Sequence, residues 1–115
     1  MKWPTKKLKF APVAIYGVNV WLATDIKTHG KAAKVLHTET PTHVSGCYSS
    51  HINENTGEMV FLIGVFNGDD SVLAHECAHA AFGILLNAGV DPLEGNNEAY
   101  CYLLGYLFRE LKAQL

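Results

Sequence analysis

At 115 residues, with 49% hydrophobic and 17% charged residues, the chain has room for one domain with one core, and its composition excludes a disordered or low-complexity polymer. A formal net charge of -2 gives no reason to expect a nucleic-acid partner. Its distribution is uneven: seven lysines against Asp25 alone up to His37, then ten carboxylates against Arg109 and Lys112. We read the lysine-rich start as a solvated face.

Read along the chain, Val13 to Ala23 is rich in β-branched and aromatic residues and predicts a first strand. The lysines before this apolar stretch superficially resemble a secretory signal. Pro12, Asn19 and the bulky Trp21 just ahead of Ala23 argue against one. No run reaches the length of a membrane-spanning helix. Asp25 then caps a helix through Leu36, interrupted by Gly30, and Thr38 to Thr42 with Pro41 break the chain. Val44 to Ile52, the turn Asn53-Glu54-Asn55-Thr56-Gly57 and Glu58 to Phe66 predict a β-hairpin. The second arm is apolar on both faces, so layers should cover it on both sides.

Asp69 or Asp70 caps a helix from about Ser71 to Leu86, apolar almost all round and expected in the core, with Gly89 closing it. After Pro92 and Gly95, Asn96 or Asn97 caps a last helix to about Gln114. Gly105 is expected to let this helix approach its predecessor closely. The expected fold class is α+β, a single domain with a small sheet of about three strands packed on helices. Cys47, Cys77 and Cys101 cannot all pair, form no CxxC and sit in apolar sequence. They read as buried thiols of a reducing, cytoplasmic protein.

The chemistry is concentrated at His75-Glu76-Cys77-Ala78-His79. Residues four apart share a helix face, so the two imidazoles can address one zinc ion, Zn2+. Glu76 flanks that position, suited to take a proton from zinc-bound water and return it to a leaving amine. Burying these groups on an apolar helix is costly unless a cation compensates. For a third ligand, Glu98, opening the last helix, is the leading candidate, with Glu94 and Cys101 as alternatives. Tyr102, four residues after Glu98, is a candidate hydrogen-bond donor to an oxyanion. Asp69 or Asp70 could orient a ligand imidazole, although the cap is the simpler role. His51 could line a cleft, while His29, His37 and His43 fall in turn-like or exposed sequence.

The HECAH run followed by Asn97-Glu98-Ala99 opening a helix resembles the gluzincin arrangement of zincin metallopeptidases, nearest in size to the small ImmA/IrrE-like zincins. It also looks like phage and prophage proteins, which would place it in a host cytoplasm. The resemblance covers mainly Glu58 to Leu111. It implies a zinc-dependent metallopeptidase with His75, His79 and Glu98 as ligands and Glu76 as base. It further implies a peptide or protein substrate that pairs as a strand with Met59 to Phe66. Tyr102 stands where thermolysin-type enzymes carry an aspartate. Two alternatives share the motif: a non-catalytic, zinc-stabilised binding module closed by Cys101, and a hydrolase of non-peptide amides.

Overall fold

The computed structural model describes residues 2–115. The chain runs β1 (Lys9–Val13), a short 3-10 turn (Ala14–Tyr16), β2 (Val18–Ala23), α1 (Ile26–Val35), β3 (Gly46–Ile52), β4 (Met59–Val65), α2 (Asp70–Asn87), a second 3-10 turn (Glu94–Asn97) and α3 (Glu98–Lys112). The fold is α+β, with a mixed sheet of four strands in the order β1-β2-β4-β3.

The fourth strand is β1, which shares only Val13 with the predicted strand Val13 to Ala23; that predicted strand is itself broken at Ala14–Tyr16 and resumes as β2. Ala14–Tyr16 turns the chain, and Gly17, at φ 65, supplies the left-handed residue that lets β1 fold back antiparallel on β2. Pro12 is tolerated because β1 is an edge strand. β2 lies parallel to β4, with Val20 opposite Phe61 and Ala23 opposite Gly64. β4 pairs antiparallel with β3 through the expected hairpin, where Asn53 N–H donates to Glu58 C=O at 2.8 Å and Gly57 sits at φ 76.

The two-faced apolarity of β4 is explained by its place. Phe61, Ile63 and Val65 face the main core with Leu73, Ile84, Leu85, Leu103, Leu107 and Leu111 from α2 and α3. Val60 and Leu62 face a smaller core with Ala32 and Leu36 from α1 and the following turn. Each such fully buried leucine contributes roughly 1.5–3 kcal/mol.

Local sequence sets the helix ends. Asp25 accepts from Thr28 N–H at 2.7 Å, and Asp69 accepts from Ser71 N–H at 2.8 Å. Asp70 pairs instead with Lys112 at 2.8 Å, tying the start of α2 to the end of α3. α2 closes in a Schellman motif: Gly89 at φ 78, with Val90 N–H on Leu85 C=O and Gly89 N–H on Leu86 C=O. Asn97 occupies the cap position of α3 without a side-chain cap bond, as the last of three successive left-handed residues, Gly95, Asn96 and Asn97.

Several expectations change. α2 buries only one side, leaving His75, His79, Phe82 and Leu86 on an exposed stripe. A Cβ on Gly105 would meet open space, so that glycine does not mediate close packing. Cys77 is buried and Cys47 half-buried, but Cys101 is exposed because it points away from the Leu103–Leu107–Leu111 stripe; all three are free thiols. His29 is buried within α1 rather than exposed. No helix among the described residues is long and apolar enough to cross a membrane.

Candidate metal centre

α2 carries the cluster because its capped start and apolar inner face fix its rotation on the sheet. Leu73, Cys77, Ala80, Ala81 and Ile84 point inward, so His75 and His79 emerge on the outer side, one turn apart. Their rings are 4.9 Å apart, centroid to centroid, with planes at 76°. Glu76, between the two faces, is turned under β3 and is only 7% exposed. One ligand atom from each of His75, Glu76 and His79 lies within 4.8 Å of the others, close enough to bind a metal ion.

β3 is what permits the carboxylate to sit there. A Cβ on Gly46 would stand 2.5 Å from Val72 Cγ1, 2.7 Å from Gly64 C=O and 3.3 Å from Glu76 Oε2. Only glycine leaves that space. Burial pushes the Glu76 carboxyl above its ordinary range, opposed by the charges of His75 and His79, and no hydrogen bond takes part in that balance. Two outward imidazoles one turn apart offer nitrogen ligands to a divalent cation, with the largely covered Glu76 carboxyl beside them and opening on a cleft with Gly46 and His75. Burial and the neighbouring Glu76 push the Cys47 thiol up to about 11 and Cys77 to about 12, so neither is a thiolate.

The structure does not bring Glu98 to this cluster, nor Tyr102. α3 presents Leu103, Leu107 and Leu111 inward. Glu98 and Tyr102 share an exposed face, and Tyr102, 77% exposed, lines a separate apolar cleft with Pro12 to Tyr16. Glu94 and Cys101 are exposed too and lie outside the cluster. Asp69 and Asp70 are engaged in the cap and the Lys112 pair, which leaves them no part in orienting an imidazole.

Two tyrosines not singled out by the motif do reach the site. Tyr48, from β3, stacks on His79 with centroids 5.8 Å apart and planes at 13°. Its hydroxyl lies against α2 at Gly83, where a Cβ would collide with it. Tyr100 meets Phe82 edge to face at 6.1 Å. Together with Ser50, Ala78 and Gly83 these residues line a cleft of about 460 Å³ that opens on both imidazoles. The helical spacing from Leu103 and Leu107 back to Tyr100 is the signal that would have identified it.

On the opposite face of β3, His29 holds Cys47 and Thr40. Cys47 Sγ lies at hydrogen-bond distance from His29 Nε2, 3.3 Å, and Thr40 Oγ1 from His29 Nδ1, 2.6 Å. His51 bonds Ser49 on that same face, away from the metal cluster.

β4 pairs on both sides, with β2 and β3, so Met59 to Phe66 offers no edge for strand addition. The edge beside the cluster is β3. The bonds from Asn53 N–H to Glu58 C=O and from Phe66 N–H to Ser45 C=O fix the ladder's parity. By alternation, Gly46, Tyr48 and Ser50 turn their backbone N–H and C=O groups toward the open side. No known protein family, curated protein or solved structure matches the chain.

Proposed function

We propose that this chain is a zinc-dependent metallopeptidase that hydrolyses a peptide bond at the His75–Glu76–His79 cluster. The observation that carries the reading is the juxtaposition of two outward imidazoles with the mostly covered Glu76 carboxyl, one ligand atom of each lying within 4.8 Å of the others. Two imidazole nitrogens one helical turn apart suit zinc among the common divalent ions. When bound, the ion polarises the scissile carbonyl and acidifies water.

The chain's own residues do the rest. His75 and His79 hold the ion on the rim of the cleft. Glu76 takes a proton from the attacking water as oxygen bonds to the carbonyl carbon. It then gives that proton to the amine nitrogen as the C–N bond breaks. Tyr48, over His79, holds that ring in place. An extended peptide adds to the open edge of β3 rather than to β4, and its backbone meets the free groups of Gly46, Tyr48 and Ser50.

Substitution Glu76→Gln tests the reading. Zinc content should stay near one per chain while hydrolysis of a peptide library falls about 10²–10⁴-fold. Undiminished hydrolysis in this variant, or no zinc in the purified wild type, would overturn it.

A further inference from the structure

We infer that the cleft beside the metal cluster is a specificity pocket for one large, neutral apolar side chain of the substrate, next to the bond to be cut. The inference rests on the peptidase reading for the position of that bond, but the pocket itself is argued from its walls. Phe82 and Tyr100 form one side, edge to face. Tyr48, Gly83 and Ala78 also line the pocket. No Asp, Glu, Lys or Arg lines the space; the polar atoms at its rim are the Ser50 and tyrosine hydroxyls and the two imidazoles.

Three observations converge on a side chain as the occupant. First, Phe82 remains 39% exposed although it is a large aromatic, so the pocket carries apolar surface that nothing in this chain covers. Second, the pocket adjoins the open edge of β3. Gly46, Tyr48 and Ser50 turn their backbone groups to that edge, while the side chains of Tyr48 and Ser50 face α2. A strand added there points every second side chain to the α2 side, where the pocket opens. Third, both imidazoles line the same pocket, so its occupant lies beside the ion. With no Asp, Glu, Lys or Arg among its walls, the metal-free pocket offers an entering carboxylate or ammonium no side-chain ion pair for the water it gives up, whereas leucine or phenylalanine would bury surface against three aromatic rings.

The experiment uses peptides identical except at one position, carrying Phe, Leu, Asp or Lys. Affinity is measured by fluorescence anisotropy on the metal-free protein, and kcat/KM on the zinc-loaded protein. Phe and Leu peptides should exceed Asp and Lys peptides by about tenfold or more in both. Phe82→Lys, at a half-exposed position, should turn the preference toward Asp. Tyr100→Ala should shrink the preference on its own, which keeps the test alive if the lysine variant does not fold. Equal affinity for Phe and Asp peptides, no measurable binding, or an unchanged preference in both variants would overturn the pocket. An apolar preference in binding without hydrolysis removes the peptidase reading and leaves the pocket. Hydrolysis without preference does the reverse.

Discussion

The ring of Tyr48 lies almost parallel to that of His79, 5.8 Å away and tilted by 13°, so a residue of the edge strand sets the orientation of an imidazole on the helix. Gly83 makes this possible by leaving room for the phenol at the helix surface. Groups that orient a ligand imidazole govern metal affinity by about 10–100-fold. Tyr48→Ala should therefore weaken zinc binding by about tenfold, while Tyr48→Phe, which keeps the stack, stays within about threefold. Competition against a chromophoric chelator measures both. Equal affinity in the alanine variant would show that the stack does not orient His79.

Metal removal should lower stability. An ion that binds only the folded chain adds about 2.7 kcal/mol at a concentration one hundred times its Kd. Thermal unfolding with and without a chelator should thus differ by several degrees in the wild type. The difference should vanish in His75→Ala and His79→Ala. Both histidines are exposed, so these variants should lose little stability in metal-free buffer.

Gly46→Ala tests the fit of β3 over the carboxylate. Its new methyl would press on Val72, on the Gly64 carbonyl of β4 and on Glu76. Overpacking of this kind costs about 1–3 kcal/mol. Urea unfolding should show that loss together with reduced zinc affinity. A variant as stable as wild type would mean that the strand relaxes without strain.

Acid should destabilise the fold through His29. Burial lowers its pKa below 6.5, as it does for His51. The unfolded rings then bind more protons than the folded ones below that value, so stability is complete above about pH 6.5 and falls as pH drops through the window beneath it. The groups facing His29 are Thr40, Cys47, Phe66 and the charge of His51. Urea midpoints from about pH 7.5 to about 5.5, with chelator present, should decline in the wild type and more gently in His29→Gln. The cap carboxylates Asp25 and Asp69 are lowered by their hydrogen bonds, so their contribution is lost only below the ordinary carboxylate range, outside this window.

The helix-borne cluster was legible because its pattern is local: a cap at Asp69, two histidines one turn apart and a glutamate beside them. The β3–β4 turn was legible for the same reason. The split of β1 from β2 was not, because Gly17 alone marks a turn whose other residues, Ala14, Ile15 and Tyr16, carry no turn chemistry. The rotation of α3 does not follow from Glu98. Residues two apart on a helix diverge by about 200°, so a helix that turns Tyr100 toward α2 turns Glu98 and Tyr102 away. The leucine stripe, not the carboxylate, decides that rotation. The position of β4 between β2 and β3 depends on a long-range pairing, and only its two-faced apolarity hinted at it.

That parallel pairing of β2 with β4 also sets the order in which the chain can assemble. Each hairpin closes over a short stretch, but the seam joining them unites residues about forty apart, the kind of contact that slows folding. During synthesis the sheet cannot be completed before Val65 is available, and the cleft residues all follow Gly46. Substitutions at the seam, such as Leu22→Ala or Ile63→Ala, should retard refolding as well as destabilise the product. Those on the rim at Phe82 should leave the refolding rate nearly untouched.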